Sequence, residues 1–419
     1  MPGSSMRAKR RTVLKGFLQG GALLGASPTL LTSTSAVQAA MGPVKIQQYR
    51  PLGSTGMRIS DISFGASRLR QQPELVAHAL DLGINYFDSA ESYTGGTSEE
   101  TLGKALRGKR DRVYLTSKGH FSAHTSADDM MQSLEGSLRR LQTDYIDVYF
   151  NHAVNDVARL KNEAFYTFTE RAKQQGKIRY VGLSGHGGRL IECLEYAIAR
   201  KAFDVMLVAY NFGQDPSFIQ SFTRGFDFIA INQELPRVIK KAKAAGMGVV
   251  AMKTLRGARI NDMAPYQRDG ATFAQAAFRW VLSNPLVDAL IISMKSKSQM
   301  AEFVAASGSS KVSQQDTELL KRYVELNDST YCRPLCDACE ASCPEGVPIA
   351  DVLRHKIYFE DYGAERMAME RYAALSRNAA ACQSCTHQAC LNACPYGLPI
   401  PTLTRRRAHE LLHWDGRPG

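Results

Sequence analysis

Short apolar segments rich in β-branched residues alternate with longer segments of helical periodicity, from residue 58 to about residue 306. The first kind predicts strands, and apolar residues that recur every three or four positions predict helices. The predicted strands are 58–65, 84–88, 112–117, 145–150, 178–184, 204–210, 247–252 and 288–293. The predicted helices are 72–82, 98–107, 126–142, 156–175, 187–201, 232–245, 272–284 and 297–306. Eight strand–helix repeats in about 250 residues predict an α/β fold, namely a (β/α)8 TIM barrel.

An open, doubly wound sheet is the alternative fold for such a pattern. A dinucleotide-binding sheet of that kind is expected to carry a Gly-x-Gly-x-x-Gly motif after its first strand. The segment after residue 65 has no such motif, and this favours the barrel.

The first 39 residues have a different pattern. A basic stretch from Arg7 to Lys15 precedes a weakly apolar segment, and Val37-Gln38-Ala39 is typical of a signal-peptidase site. Arg10-Arg11 with Thr-Val-Leu-Lys behind it resembles a twin-arginine export signal. This pattern predicts that the twin-arginine machinery exports the folded protein to the periplasm. A plain secretory signal and a disordered basic tail are the alternatives.

The composition is that of a soluble globular protein, because 44% of the 419 residues are hydrophobic and 22% are charged. Collagen-like and wholly disordered chains are therefore excluded. The formal net charge is +12, and removal of residues 1–39 would take away five positive charges and leave +7. No basic stripe with interleaved aromatic residues remains, so nucleic-acid binding is not predicted.

Polar and ionisable residues follow the predicted strands at the points where the apolar segments end. They are Asp88, Lys118, His152, Ser184, His186, Asn211, Lys253, Ser293 and Lys295. The carboxyl ends of the strands of such a barrel meet at one rim, and the chemistry of these barrels collects there. The sequence therefore predicts an enzyme with a polar active site at this rim.

Four motifs on the predicted rim occur in a specific order. Asp88-Ser-Ala-Glu-Ser-Tyr93 leaves the second strand, Lys118 and His152 end the next two, and Gly182-Leu-Ser184 ends the fifth. With these motifs, residues 47 to 306 resemble the aldo-keto reductase family. The resemblance implies hydride transfer between NADP (or NAD) and a small carbonyl substrate, an aldehyde or a ketone. It also implies that Asp88, Tyr93, Lys118 and His152 are the catalytic residues.

The chemistry of these side chains agrees with that assignment. Reduction of a carbonyl needs a proton donor beside the developing alkoxide, and Tyr93 would be that general acid. A free tyrosine has a pKa of about 10, and a neighbouring ammonium such as that of Lys118 lowers it. Asp88 would keep Lys118 charged and oriented, and His152 would position the substrate carbonyl.

The cofactor residues match the family less closely. Ser184 fits the position that holds the nicotinamide carboxamide, but Leu207 and Met252 stand where the family often has a glutamine and an aromatic residue. Cationic side chains near the strand ends would supply the positive charge that a cofactor phosphate needs, and the alternative is that they are ordinary surface charges. These cations are Lys253, Arg256, Lys295 and Lys297.

Eight of the nine cysteines lie in a window of 63 residues near the C-terminus. They form a C-x3-C-x2-C-x3-C-P run and a C-x2-C-x4-C-x3-C-P run. These two runs resemble the bacterial ferredoxin motif, which implies two 4Fe-4S clusters. The resemblance further implies that the fourth cysteine of each run serves the other cluster. One site would then be Cys332, Cys336, Cys339 and Cys394, and the other Cys382, Cys385, Cys390 and Cys343.

Paired zinc sites and four disulfides are the alternatives for these cysteines. The ninth cysteine, Cys193, lies among apolar residues of a predicted helix, which predicts a buried core thiol.

The sequence therefore predicts a signal peptide in residues 1–39, a barrel in 45–325 and a ferredoxin-like iron–sulfur domain in 326–419. Two redox parts imply an electron-donor or electron-acceptor protein as a partner. The alternative function is a non-enzymatic electron-transfer or interaction protein whose barrel has lost its cofactor site.

Overall fold

The structure, a computed structural model, describes residues 44–187, 189–214, 234–255, 260–268, 270–327, 332, 338–360, 365–395 and 397–413. The predicted signal peptide, Arg256 and Cys336 lie outside the described residues.

Eight parallel strands form a closed barrel, as the alternation of segments predicts. In chain order they are β3 (Ile62–Gly65), β4 (Tyr86–Asp88), β5 (Tyr114–Gly119), β6 (Ile146–Asn151), β7 (Ile178–Gly185), β8 (Val205–Ala209), β9 (Gly248–Met252) and β10 (Ala289–Ser293). Each strand pairs with the next, and β10 closes the barrel on β3. The predicted TIM barrel is thereby confirmed.

The first predicted strand is in fact two strands. β2 (Arg58–Ser60) forms an antiparallel hairpin with β1 (Tyr49–Pro51), and only β3 enters the barrel. The break falls at Asp61, whose carboxylate accepts hydrogen bonds from the Ser307 hydroxyl at 2.6 Å and the Gly308 amide at 2.7 Å. These bonds connect the hairpin to the segment that follows the helix Lys297–Val304. The local period of the sequence does not reveal this distant contact.

The helices follow the strands in the predicted order. In the barrel they are Pro73–Asp81, Thr97–Leu106, Ala127–Leu141, Val157–Leu160, Glu163–Gln174, Leu190–Arg200, Leu235–Ala244, Phe273–Leu282, Lys297–Val304 and Gln314–Asn327. The predicted helix 156–175 is divided because the Asn162 side chain accepts from the Ala164 amide at 3.1 Å and so begins a second helix.

Apolar side chains fill the barrel and close one end of it. Leu52, Met57 and Ile59 of the hairpin pack against Phe150 and other inward-facing residues of the strands. A Cβ on Gly182 would lie 2.3 Å from the Phe150 ring, so only glycine fits there. Since the hairpin covers this end, the rim at the carboxyl ends of the strands is the end open to ligands.

The chain after the barrel forms a helical region with its own core. Val347, Val352, Tyr372, Leu398 and Leu412 belong to this second core. Its helices are Ile349–Glu360, Glu365–Ala373, Ala380–Gln383, Ala389–Ala393, Ile400–Thr402 and Glu410–Leu412, with a π-helical turn over Leu403–His409.

The described residues from 338 to 413 contain no strand, so the ferredoxin-like architecture stays a prediction. Their sequence gives the reason: helical segments, without alternating apolar segments, connect the two cysteine runs. None of the helices in the described part of the chain combines the length and the apolar composition needed to cross a membrane.

Candidate active site

A buried ion pair lies at the carboxyl ends of two neighbouring strands. The Lys118 Nζ atom, on β5, donates to Asp88 Oδ2, at the end of β4, at 2.7 Å. The other carboxylate oxygen of Asp88 accepts from the Thr116 hydroxyl at 3.0 Å, and the ammonium also donates to the Ser89 carbonyl. The lysine is therefore fixed in position from two sides.

Tyr93 lies beside this pair, immediately before a sharp turn of the chain. Thr94, Gly95 and Gly96 all have positive φ angles, of 50°, 65° and 91°, which the two glycines adopt without strain. The Tyr93 ring centroid is 4.9 Å from Lys118 Nζ.

Two opposing effects act on the pKa of Tyr93. Burial raises the pKa of Tyr93 above its usual value, and the Lys118 ammonium, which lowers it, only partly offsets this effect. For Lys118, burial alone lowers the pKa, but the Asp88 carboxylate and Tyr93 together raise it. Tyr93 is therefore a protonated donor beside a protonated lysine.

His152 completes the group at the end of β6. Its ring meets the Tyr93 ring edge-on, with centroids 5.7 Å apart and planes at 79°. Burial, followed by the charge of Lys118, lowers the pKa of His152 to about 3. The imidazole is therefore neutral near pH 7 and can donate one N–H to a carbonyl oxygen without bringing a second cation.

All four of these side chains line one cavity of about 520 Å³ at the open rim. Among the predicted cofactor residues, Ser184, Lys253 and Lys295 line the same cavity, whereas Lys297 is exposed at the start of its helix and does not.

The predicted nicotinamide end of this cavity has both a polar and an apolar side. The Ser184 hydroxyl oxygen accepts from the Ala153 amide at 3.0 Å, and the hydroxyl donates to the Asn151 carbonyl through a long bond of 3.4 Å that a ligand can replace. Leu207 lies opposite Ser184 on the next strand, and Met252 also lines the cavity. A carboxamide can therefore bind at Ser184 while an aromatic ring packs against the two apolar side chains.

Several residues without a predicted role contribute to the site. Arg68, His186, Gln299 and Phe303 line the cavity. Burial and then the charge of Lys253 lower the pKa of His186 to about 4. His186 stands at the end of a predicted strand, which marks it as a rim residue, but Arg68 and Phe303 follow no motif that a single sequence reveals.

Arg159 supports His152 from behind. Its guanidinium donates to the His152 carbonyl at 2.9 Å, to the Ala153 carbonyl at 2.9 Å and to Asn151 Oδ1 at 2.9 Å. Ala153 itself has a φ of 51°, an uncommon backbone conformation that these bonds hold in place.

The second candidate site lies in the C-terminal helical region. Cys343 of the first run and Cys382, Cys385 and Cys390 of the second line one small cavity, together with Arg405. Burial raises the pKa of the Cys382 and Cys390 thiols, and the nearby Cys343 sulfur raises both further.

No three His, Cys, Asp or Glu side chains converge on a position for a single metal ion among the described residues. Cys343, Cys382, Cys385, Cys390 and Cys394 are free thiols in the described part of the chain, and so is the buried Cys193.

The fold and the group at the rim define a reductase barrel, and comparison with known proteins agrees. The Aldo/keto reductase family profile matches residues 53–325, and the chain therefore belongs to this family of oxidoreductases. Members of the family generally use NAD(P)H.

Individual relatives match the barrel region. L-galactose dehydrogenase of Arabidopsis thaliana is 27% identical over 286 residues, which are 62% of this chain and 88% of that protein. L-glyceraldehyde 3-phosphate reductase of Escherichia coli (strain K12) is 26% identical over 305 residues, 62% of this chain and 87% of that protein. An aldo-keto reductase from Bacillus halodurans, solved in its holo form, shares the fold with a TM-score of 0.53 at 21% identity, covering 66% of this chain and 96% of that one.

Proposed function

We propose that the barrel reduces the carbonyl group of an aldehyde or ketone, or catalyses the reverse oxidation, with NADP or NAD as the cofactor. The observation that carries the proposal is the Lys118–Asp88 ion pair beneath Tyr93, beside a neutral His152, in one open cavity. The substrate would be a small carbonyl compound.

In this reaction bound NAD(P)H supplies the hydride that adds to the carbonyl carbon. The His152 imidazole donates a hydrogen bond to the carbonyl oxygen and orients it. Tyr93 transfers its hydroxyl proton to that oxygen as negative charge develops there, which gives the alcohol. Lys118 stabilises the phenolate that remains, Asp88 keeps Lys118 protonated, and the phenolate recovers a proton from solvent.

The residues of the cavity fit a nicotinamide dinucleotide. The Ser184 hydroxyl would turn from its long bond with the Asn151 carbonyl to the carboxamide, and Leu207 and Met252 present apolar surface to the ring. Lys253 and Lys295, with Arg256 and Lys297 as the further predicted cations, would bind the phosphates.

Consumption of NADPH by the full chain in the presence of an aldehyde tests the proposal. Tyr93→Phe should lower kcat by about a hundredfold or more, because it removes the proton donor. NADPH binding, followed through the fluorescence of Trp280, should remain. Binding of neither NADPH nor NADH would instead favour a non-enzymatic electron-transfer or interaction protein.

We propose further that the eight clustered cysteines hold two 4Fe-4S clusters. The support is the spacing of the two Cys-Pro runs together with one cavity that four thiols drawn from both runs line. An electron-donor or electron-acceptor protein would then exchange electrons with the clusters. Visible and EPR spectra of anaerobically isolated protein test this proposal, and a colourless protein that contains zinc would contradict it.

We also propose that the twin-arginine machinery exports the protein to the periplasm. The support is the pair Arg10-Arg11 ahead of a weakly apolar segment that ends in Val37-Gln38-Ala39. Cell fractionation of the wild type and of an Arg10→Lys/Arg11→Lys variant tests it. The variant should remain in the cytoplasm, and a periplasmic variant would contradict the proposal.

A further inference from the structure

Arg405 points into the cavity that the four cysteines line. It lies in the π-helical turn Leu403–His409, a rare helix type that often occurs at functional sites. One terminal nitrogen of its guanidinium donates to the carbonyl oxygen of Cys385. Thr404, the preceding residue, lines the same cavity and donates its hydroxyl to the Ile400 carbonyl at 2.9 Å.

The Nε atom of Arg405 is buried and has no hydrogen-bond partner among the described residues. A buried donor of this kind is costly, and more so when the group is charged, so proteins nearly always provide an acceptor for it. The described protein atoms around the cavity provide none for Nε. The sulfur atoms of an iron–sulfur cluster in the cavity would be such acceptors.

We propose that Arg405 is a hydrogen-bond donor to the cluster held by Cys343, Cys382, Cys385 and Cys390, and that it sets the reduction potential of this cluster. This inference rests on the proposed iron–sulfur function. Hydrogen bonds to sulfur and local net charge are two of the factors that determine such potentials. One-electron reduction adds a negative charge to the site, and the guanidinium favours the more negative state. Arg405 therefore raises the potential.

Arg407 is the matched control for Arg405. It lies in the same π-helical turn and carries the same charge, but its side chain is exposed and does not line the cavity. Any effect of changing the net charge of the chain, or of disturbing this turn, should appear in Arg407→Gln as well.

The experiment is an EPR-monitored redox titration of the full chain, isolated anaerobically, with dithionite as the reductant. Arg405→Gln should lower the potential of one cluster by about 59 mV or more, a tenfold change in the equilibrium constant of a one-electron reduction. The signal that shifts should be the one altered by Cys385→Ser. Arg407→Gln should change the equilibrium constant less than twofold.

If the Arg405→Gln chain carries both clusters and their reduction potentials are unchanged, the role proposed for Arg405 is overturned, while the proposed clusters stand. A wild-type chain without an iron–sulfur signal would contradict the proposed clusters themselves. If the Arg405→Gln chain does not incorporate its cluster, the Arg405→Lys variant tests the hydrogen bond instead. Lysine keeps the positive charge of arginine but has no Nε donor. A lowered potential in Arg405→Lys supports the hydrogen bond, and an unchanged one overturns it.

Discussion

The Lys118 ammonium and the Asp88 carboxylate form an ion pair of 2.7 Å whose side chains are only 1% and 2% exposed. Almost no water reaches either group, so each depends on the other for its charged state. The pair is thus part of the folding energetics of the barrel as well as of the site.

Removing one member of this pair should destabilise the barrel more than removing both. Asp88→Asn or Lys118→Met alone leaves a buried charge without its partner, which costs about 3–5 kcal/mol. The double variant should lose less stability than either single variant. Urea unfolding followed by circular dichroism measures these differences, and a double variant that loses as much as the two single variants together would contradict the coupling.

An exposed ion pair of the same barrel provides the control. Arg171 and Asp128 are 2.9 Å apart, but their side chains are 41% and 80% exposed. Asp128→Asn should cost less than about 1 kcal/mol in the same measurement.

The two cavity histidines should make stability depend on pH below neutrality. Burial lowers the pKa of His152 to about 3 and that of His186 to about 4, whereas the unfolded chain takes up their protons near pH 6.5. The unfolded state therefore binds more protons between these values, and stability falls as the pH falls from 6.5 toward 4.

Each of these histidines should contribute about 1–2 kcal/mol to this loss at pH 5. Urea unfolding at pH 7 and pH 5 measures it. His152→Gln and His186→Gln should each flatten the dependence, and a double variant that keeps the wild-type slope would show that other groups cause it.

Arg159→Met should impair catalysis, although the Arg159 side chain itself does not contact the substrate in the proposed site. The arginine donates hydrogen bonds to the His152 and Ala153 carbonyls, and the loss of these bonds would let the His152 imidazole shift. A displacement of about 1 Å can lower a rate by about a hundredfold, so we expect a lower kcat with a smaller change in the affinity for NADPH. Steady-state kinetics and NADPH binding measure the two effects. Arg189→Met, at an exposed neighbouring position, should leave both unchanged.

The order of the elements could be read from the sequence because the barrel repeats a local pattern eight times. The break at Asp61 could not, since it depends on hydrogen bonds to Ser307 and Gly308, which are more than two hundred residues away. A distant contact of this kind leaves no trace in the local period of the chain.

The candidate active site, like the fold, follows from the sequence only in part. The residues at the strand ends, Asp88, Lys118 and His152, meet at the rim because parallel strands bring their carboxyl ends together. Lys118 lowers the pKa of Tyr93 as expected, but burial raises it by more, and burial is a property of the assembled cavity that the sequence does not reveal. The support from Arg159 also depends on tertiary contacts.

Lys295 and Lys297 should differ in their effect on the cofactor, because only Lys295 lines the cavity. If Lys295 binds the 2′-phosphate, Lys295→Met should weaken NADPH binding about tenfold through the loss of a charged hydrogen bond, and should weaken NADH binding less. Lys297→Met is the matched control. Fluorescence titrations with both cofactors measure these constants, and equal effects of the two substitutions would contradict the assignment.

Cys343 should behave as a member of the second cysteine run. Although it belongs to the first run in sequence, it lines the cavity with Cys382, Cys385 and Cys390. Cys343→Ser and Cys385→Ser should therefore alter the same EPR signal and lower the iron content to about half, since each cubane depends on its four thiolates. Cys193→Ser, at a buried thiol in the barrel, should leave the iron content unchanged. Iron and sulfide analysis with EPR on the anaerobic protein tests this assignment, and a Cys343→Ser variant that alters the other signal would reverse it.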